Sequence, residues 1–458
     1  MTETHELRPA DSAPGPLVLE EGDEGYDHAR RIHNGLVDKR PALIYQCRHE
    51  ADVVAAIQKA RADGMEISVR GGGHNVAGRA VCDGGLMINL ASMKGIEVDA
   101  GARTVRAEPG LNWGEFNAAT QAHGLAVTGG TISTTGIAGL TLGGGLGWLM
   151  GKFGTATDNV ISARVVTAAG DVLTASESQN PDLFWAIRGG GGNFGVVTSF
   201  EYQLHPVGPI VTGGFVFYDY EKAADVLRLF RELSGDLSDD MSLVLGLVCN
   251  PEPPHQPLAG IIVCHVGPEE QAESDVAPLR SLGEPVVDAI VRKSYSEVNS
   301  QFDFGFPDGA LNYWKSSFLK SLSEEAITRM VEDFADAPSR MTVLLIEDLH
   351  GQVTRVPVDA MAVPHRERGF NLLIPSVWTE HAETEANIAW TRGIFRNLQS
   401  FLADGRYVNY LDDDEDEFGS DPVRAAYGPN YERLVEVKTK YDPENLFHLN
   451  FNIAPRPA

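Results

Sequence analysis

Short apolar runs alternate with stretches of helical spacing over residues 41–208. ALIYQC (42–47) and MEISVR (65–70) are typical of strands, and between Glu50 and Asp63 the apolar residues recur at helical spacing. Glycine follows the predicted helix and the second strand, as expected at the ends of such elements. The same patterns predict strands at 85–93, 96–100 and 104–109, a helix at 113–124, a hairpin at 161–176, and a short helix followed by a strand within 180–206.

From about residue 209 the apolar runs become longer and alternate with polar positions. Amphipathic helices separate them, but the unbroken apolar runs of a parallel sheet are missing, so we predict an α+β fold with one large antiparallel sheet flanked by helices. The predicted strands are 211–220, 241–249, 258–266, 311–319, 341–349 and 370–378, and the predicted helices lie near 221–234, 268–282, 323–336 and 380–402.

These changes of pattern divide the chain into four parts. We predict an N-terminal segment over 1–35 with about a dozen disordered residues at its start, a first domain over 36–208, a second over 209–404, and a C-terminal segment over 405–458. The last part contains a predicted helix at 431–441 and the run DDDEDE (412–417), which is expected to be a solvated loop.

Composition narrows the range of functions. The 458 residues carry a net charge of −27, which argues against nucleic acid and anionic membrane surfaces as partners. The four cysteines are scattered without a CxxC pair, so neither a disulfide scaffold nor a metal site is predicted. The polar start lacks the features of a signal peptide, and no apolar run approaches the roughly 20 residues of a membrane span. We therefore expect a cytoplasmic protein.

Glycine-rich loops are the main candidates for ligand binding. Gly190, Gly192 and Gly195 match GxGxxG, but a helix precedes them and a strand follows, which reverses the order that a Rossmann fold requires. Together with the glycines of 70–73 and 136–147, they make three such loops in the first half of the chain. Glycine lets backbone N–H groups approach an anion closely, so the set indicates an extended diphosphate ligand.

Four motifs carry a resemblance to a known family. SVRGGGHNVAG, TTGIAGLTLGGGLGWL, NPDLFWAIRGGGGNFGVVTSFEYQLHPV and YDPENLFHLNFNIAP follow one another in an order and spacing similar to those of the FAD-linked oxidases of the vanillyl-alcohol oxidase type, above all the berberine bridge enzyme-like branch. The resemblance covers nearly the whole chain. It implies a two-lobed FAD-binding domain of the PCMH type, a substrate domain, and a C-terminal segment that returns to the FAD domain.

The resemblance also implies how FAD is held. His74 occupies the position of the histidine that bonds covalently to the 8α-methyl of the flavin. Many relatives have a second link through a cysteine, but Ile132 stands at that position here, so His74 is expected to be the single anchor. The residues implied to bind FAD are Arg70, Gly71, Gly72, Gly73, His74, Asn75, Gly78, Ile132, Ser133, Gly136, Gly139, Gly143, Gly144, Val196, Asn409, Asn450 and Asn452.

Catalysis requires a group that removes a proton while hydride leaves the substrate. The resemblance points to Tyr407 and Tyr410, and if their segment is extended, only Tyr407 shares a face with Asn409. A tyrosine with its ordinary pKa near 10 is a poor base at neutral pH, so a nearby cation such as Lys315 is a candidate helper. Aromatic residues predicted to shape the substrate pocket are Phe215, Phe217, Tyr313, Trp314 and Trp378.

The resulting hypothesis is an oxidase that passes electrons from a small organic alcohol, amine or ring C–H to covalent FAD and then to O₂. A flavin dehydrogenase, a flavin oxygenase of secondary metabolism, and a catalytically idle flavin carrier remain as alternatives. The protein is expected to be a monomer or homodimer.

Overall fold

Residues 15–206 contain two main sheets. The computed structural model of the protein describes residues 15–253, 255–412, 414 and 421–457. The first sheet has the order β1-β2-β4-β3, with β2, β3 and β4 parallel, and the second has the antiparallel order β5-β6-β10-β8-β9. The strands are β1 (Leu17–Leu19), β2 (Leu43–Gln46), β3 (Ile67–Arg70), β4 (Leu86–Asn89), β5 (Ile96–Asp99), β6 (Thr104–Ala107), β7 (Leu125–Ala126), β8 (Val160–Val166), β9 (Val172–Ser176), β10 (Val196–Gln203) and β11 (His205–Pro206), of which β7 and β11 pair with each other.

A single antiparallel sheet dominates residues 210–378. Its order is β15-β12-β14-β13-β18-β19-β17, and β16 pairs with β12 beside β15. This agrees with the predicted α+β class, since long alternating strands lie between amphipathic helices. The strands are β12 (Ile210–Asp219), β13 (Met241–Cys249), β14 (Pro257–His265), β15 (Val287–Asp288), β16 (Val291–Ser294), β17 (Leu311–Leu319), β18 (Leu344–Leu349) and β19 (Gly369–Trp378).

The helices follow the predicted positions closely, because their apolar residues recur at helical spacing. The main differences are the helices predicted over 380–402 and 268–282, which are α-helical only over Thr384–Leu398 and Glu269–Val276 and each end in a 3₁₀ turn. The α-helices are α1 (Tyr26–Arg30), α2 (Glu50–Asp63), α3 (Trp113–Gln121), α4 (Ile137–Leu142), α5 (Met150–Phe153), α6 (Pro181–Ile187), α7 (Ala223–Ser234), α8 (Glu269–Val276), α9 (Tyr295–Asn299), α10 (Glu324–Phe334), α11 (Thr384–Leu398), α12 (Pro422–Tyr427) and α13 (Tyr431–Tyr441).

The large sheet has two different faces. Helices α7, α10 and α11 cover one face, where Leu245, Ile346 and Leu372 form part of a buried core with residues such as Phe230 and Met330. Since side chains alternate along a strand, the neighbouring residues point to the opposite face. That face is turned toward the glycine-rich loops of the first half of the chain.

Two predictions fall wholly or partly outside the described residues. The disordered start concerns residues 1–12, which are not described. Of the predicted solvated loop 412–417, only Asp412 and Asp414 are described, and both are mostly buried in ion pairs with Lys315. The solvated-loop prediction is therefore wrong for these two residues. No helix in the described part of the chain is long and apolar enough to cross a bilayer.

Candidate active site

A large cavity lies between the glycine-rich loops and the open face of the large sheet. It encloses about 1790 Å³, including its opening to solvent. One wall is formed by glycine-rich stretches, from residues within 71–75, 130–138 and 191–197, and the opposite wall is mostly apolar side chain. The side chains of that second wall include Val244, Phe302, Phe306, Trp314, Leu345 and Leu373.

Glycine is required where the first two loops touch. A Cβ on Gly72 would lie 2.5 Å from the Cα of Gly136, and one on Gly136 would lie 2.5 Å from the amide nitrogen of Gly72. Any side chain at either position would push the loops apart. The paired glycines therefore keep both backbones at the cavity wall.

His74 lies at the cavity end of the first loop. Its Nε2 is 3.4 Å from the hydroxyl of Thr134, and Ile132 lines the cavity nearby. Desolvation, reinforced by the neighbouring His33, lowers the pKa of His74 to about 3. The imidazole is therefore neutral at pH 7 and has a free nitrogen lone pair.

Glu347 is a carboxylate on the otherwise apolar wall. It lies 7% exposed in β18, in one cross-strand row with Val244 and Asn371. Asn371 Nδ2 donates to one carboxylate oxygen at 2.7 Å, and Tyr410 Oη donates to the other at 3.1 Å. Burial raises the pKa of Glu347, although these two hydrogen bonds oppose the shift. Among the described residues that line the cavity, Glu347 is the only carboxylate.

The two tyrosines lie differently from the prediction. Residues Val408–Tyr410 form a 3₁₀ turn and not a strand, so both rings can face the same region and meet at a centroid distance of 4.9 Å. Tyr410 lines the cavity, but Tyr407 lies behind it, where its oxygen accepts hydrogen bonds from the amides of Gly145 and Leu146. The condition for preferring Tyr407, an extended segment, is not met, so this preference loses its basis.

Neither tyrosine has the lowered pKa that a base would need. Burial raises the pKa of Tyr407 to about 12, despite hydrogen bonds from two amides and Asn409. Burial and the charge of Glu347 raise the pKa of Tyr410 well above its usual value. At neutral pH both phenols are protonated, so Tyr410 acts as a hydrogen-bond donor to Glu347.

Lys315 is not brought to the cavity. It follows Trp314 in β17, and since neighbouring residues of a strand face opposite sides, Trp314 lines the cavity and Lys315 points away from it. Its ammonium group is bound by Asp412 and Asp414, at 2.9 Å from each. The structure thus corrects the prediction of a catalytic helper, because this cation lowers the pKa of neither tyrosine.

Most of the residues implied to bind FAD meet at the cavity. The second and third loops contribute through their backbone, and the C-terminal segment contributes two asparagines. The implied residues that line the cavity are Gly71, Gly72, Gly73, His74, Asn75, Ile132, Gly136, Gly139, Val196, Asn409 and Asn450.

Gly143 and Gly144 lie next to the segment 407–410. A Cβ on Gly143 would lie 2.0 Å from the side-chain oxygen of Asn409, and one on Gly144 would lie 3.4 Å from the ring of Tyr407. The absence of a side chain at Gly143 therefore lets Asn409 pack directly on the second loop, and the ring of Tyr407 lies next to Gly144. Neither glycine lines the cavity, whereas the resemblance implied that both line the cofactor.

Arg70 and Gly78 also lie behind the wall. The guanidinium of Arg70 runs beneath the first loop, with Nη1 3.4 Å from Asn89 Oδ1, and Gly78 packs so tightly that a Cβ would lie 2.7 Å from Val37. Both residues support the first loop and neither lines the cavity.

Ser133 and Asn452 are likewise outside the lining. Ser133 is bound through its amide to Asp303, at 2.8 Å, which joins the second loop to the substrate side. Asn452 has a buried Oδ1 that accepts no hydrogen bond from any described residue.

Of the five aromatic residues predicted for the pocket, only Trp314 lines it. Phe302 and Phe306, which were not predicted, also line it.

Sequence reasoning also missed Glu347. The signal was an interruption of the apolar residues of β18 by two adjacent acids, Glu347 and Asp348, of which Glu347 pairs with buried residues on both neighbouring strands. An acid there needs hydrogen-bond partners or a function, because burying an isolated charge is costly.

The wall around the loops fits FAD. Backbone from three glycine-rich stretches borders one elongated space, which suits an extended ligand with a diphosphate. The half-buried Arg70 places a positive charge beneath Gly73, and its buried Nε has no hydrogen-bond partner among the described residues. The apolar wall opposite can receive the flavin ring and a substrate.

Comparisons with known proteins agree with this site. Residues 41–176 match the family described as FAD binding domain, and residues 406–454 match the family Berberine and berberine like. An FAD-linked oxidoreductase of Dictyostelium discoideum is 32% identical over 447 residues, which cover 96% of this chain and 94% of the relative. The chain belongs to the berberine bridge enzyme-like FAD-linked oxidoreductases.

Two further comparisons concern 6-hydroxynicotine oxidases. The (R)-6-hydroxynicotine oxidase of Paenarthrobacter nicotinovorans is 33% identical over 455 residues, covering 96% of each chain. The crystal structure of 6-hydroxy-D-nicotine oxidase from Arthrobacter nicotinovorans superposes with a TM-score of 0.88 at 30% identity, covering 98% of this chain and 100% of that one. The family member described here is therefore an FAD-dependent oxidoreductase with the fold predicted from its motifs.

Proposed function

We propose that the protein is an oxidase that takes hydride from a small ring-containing alcohol or amine, with O₂ as the final electron acceptor and H₂O₂ as a product. The observation that carries the proposal is Glu347, a buried carboxylate with a raised pKa on the cavity wall opposite the glycine-rich loops. Bound FAD supplies the hydride acceptor. The residues of the chain bind the substrate and move its proton.

The wall around Glu347 supports a ring-containing substrate. Phe302, Phe306 and Trp314 give it flat apolar surfaces, with Phe306 and Trp314 in edge-to-face contact at 5.8 Å between centroids. Such surfaces bind an aromatic or heterocyclic ring better than a highly hydroxylated one, whose polar groups would lose water without gaining partners. The relative named for the oxidation of 6-hydroxynicotine supports the same class.

Glu347 is the proposed proton acceptor. Its ionised form accepts the O–H or N–H proton of the substrate as hydride leaves the adjacent carbon. Tyr410 and Asn371 hold the two carboxylate oxygens in place, so that the carboxylate does not have to reorient during the reaction. Tyr410, protonated at neutral pH, also orients polar groups of the substrate.

The proposed attachment of FAD is through His74 alone. His74 lines the cavity with a neutral imidazole, and Ile132 lines it where a second anchor would require a cysteine. Each of the four cysteines lies away from the cavity lining, and burial raises the pKa of Cys82. These observations support a single covalent link.

The oxidase reaction is tested by product analysis. Incubation of the purified holoenzyme in air with a panel of aromatic alcohols, cyclic amines and polyphenols is expected to yield one H₂O₂ for each substrate molecule oxidised. The measurement pairs a peroxide assay with chromatography of the organic product. Turnover that occurs only with an added artificial acceptor would indicate a dehydrogenase, and incorporation of labelled oxygen into the product would indicate an oxygenase.

The covalent link is tested by denaturation. In acid-precipitated wild-type protein the yellow flavin is expected to stay with the pellet, whereas His74→Ala should release it to the supernatant, because the described residues that line the cavity include no other histidine and no cysteine. Cys82→Ser serves as the control and should behave as wild type. Free flavin from the wild-type protein would contradict the link, and bound flavin in His74→Ala would point to another anchor.

A further inference from the structure

The segment His33–Gly35 connects the first glycine loop to the substrate side of the molecule. Toward the loop, the amide of His33 donates to the carbonyl of Gly73 at 2.9 Å, and Asn34 Nδ2 donates to the carbonyl of Val76 at 2.8 Å. These two contacts lie on either side of His74. The backbone that carries the proposed flavin anchor is thus held by two consecutive residues of the N-terminal segment.

The same segment is fixed from the other side by the residues that lead into β17. The amide of Gly35 donates to the carbonyl of Ala310 at 2.9 Å, and Asn34 exchanges two hydrogen bonds of 2.9 Å with the backbone of Asn312. A Cβ on Gly35 would lie 2.2 Å from the carbonyl oxygen of Gly309, so only glycine fits there. The position of His33 is therefore determined by both halves of the molecule.

The ring of His33 lies against the ring of His74. Their centroids are 3.8 Å apart and their planes differ by 15°, so the two imidazoles are stacked. His33 is 4% exposed and does not line the cavity, which places it behind His74 as seen from the cofactor space. Its Nδ1 is 3.5 Å from a carboxylate oxygen of Asp308, on the loop before β17. No described residue hydrogen-bonds its Nε2.

We propose that His33 is a positioning residue for flavin attachment: its ring, stacked on that of His74, fixes the plane in which the His74 nitrogen meets the flavin methyl group. The inference rests on the proposed covalent link through His74. Stacking on a buried ring restricts rotation of the His74 side chain about its torsions. A correctly aligned nucleophile reacts faster because less orientational freedom is lost on reaching the transition state.

The attachment step balances with dioxygen as the oxidant. A bond forms between one imidazole nitrogen of His74 and the methyl carbon, and one C–H bond of that methyl breaks. The methyl proton and the imidazole N–H proton are released, and the two electrons pass to O₂, which becomes H₂O₂ with those two protons. His33 takes no part in the bond changes and only holds the reacting ring.

The test compares two side chains of similar size at position 33. Protein produced under riboflavin limitation is incubated with FAD in air, and the mass of the denatured chain reports covalent flavin over time. His33→Leu, which lacks a flat ring, is expected to slow attachment about tenfold or more, since a misplacement of about 1 Å can cost 10²-fold. His33→Phe, which retains a stacking ring, should attach flavin at nearly the wild-type rate. His381→Leu, at an exposed histidine, is the control.

Other measurements separate positioning from a general loss of structure. In a His74→Ala background, His33→Leu should leave the affinity for non-covalent FAD unchanged, whereas a damaged loop would weaken it. Equal attachment rates in wild type and His33→Leu would overturn the inference, and so would an equally slow His33→Phe. If His33→Leu does not fold, His33→Gln gives the same comparison, with a wild-type rate as the contradicting result. Absence of covalent flavin in the wild-type protein would instead contradict the proposed link through His74.

Discussion

Glu347→Gln is expected to lower kcat by about 10²–10⁴-fold, the range that a positioned general base contributes. Glutamine keeps the size of the side chain and can still bond to Asn371 and Tyr410, but it cannot accept a proton. FAD should remain bound, because the glycine loops and His74 lie on the opposite wall. Steady-state peroxide release and the visible spectrum of bound flavin measure the two effects separately.

The pH profile provides an independent check of this role. Burial raises the pKa of Glu347, and catalysis requires the deprotonated form, so kcat/KM of the wild type should rise with pH through a value above that of an ordinary glutamate. Below that value the carboxyl group is protonated and activity is lost. Glu347→Gln should be slow at all pH values and should lack this rise.

Tyr410→Phe is the matched control for the effect of Glu347. It retains the ring that contacts Trp314 and removes only the hydroxyl that donates to Glu347. The loss of kcat should be much smaller, and the pH rise should move upward, because one hydrogen bond that favours the carboxylate is gone. Full activity in Glu347→Gln together with a large loss in Tyr410→Phe would return the role of base to the tyrosine.

The strands and helices could be predicted well because their signal is local. The apolar residues between Glu50 and Asp63 recur at helical spacing, so the bounds of this helix follow from periodicity. The glycine-rich wall of the cavity was predictable for a related reason, since glycine runs have few uses and their order along the chain is distinctive. His74 was found because it ends such a run.

The apolar wall that carries Glu347 was harder to predict because it is built by pairing between distant strands. Glu347 becomes a cavity residue only when β18 pairs with β13 and β19, and nothing in the local sequence states that register. Lys315 is the opposite case, a residue that was expected at the cavity and is absent from its lining. Its neighbour Trp314 faces the cavity, and one step along the strand is enough to turn the lysine to the other side.

The conformation of segment 407–410 could not be predicted from the sequence for a further reason. The choice between Tyr407 and Tyr410 assumed an extended chain. The segment instead forms a 3₁₀ turn, which brings residues three apart onto one side. The turn packs against Gly143 and Gly144 from a position more than 250 residues away in sequence, so its shape depends on a tertiary contact that local propensity does not report.

Lys438→Met is expected to reduce the free energy of unfolding by about 3–5 kcal/mol, the cost of leaving one member of a buried ion pair without its partner. Lys438 and Asp442 are both fully buried, 2.7 Å apart within the C-terminal segment. The ammonium group also donates to the backbone carbonyls of Asn193 and Phe447, at 2.9 and 3.3 Å, so it joins the third glycine loop to the C-terminal tail. Urea unfolding followed by flavin fluorescence and circular dichroism measures the loss.

Lys440→Met, two residues further along the same helix, is the control for this pair. Lys440 pairs with Asp182 at the surface, where the side chains are 59% and 34% exposed, and an exposed pair contributes only about 0–1 kcal/mol. Adding Asp442→Asn to Lys438→Met should recover part of the stability, because the uncompensated charge is then gone. Equal losses in Lys438→Met and Lys440→Met would show that burial of the first pair has no energetic consequence.

Since Asn193 lines the cavity, Lys438→Met should also weaken retention of non-covalent FAD in a His74→Ala background, which Lys440→Met should not do.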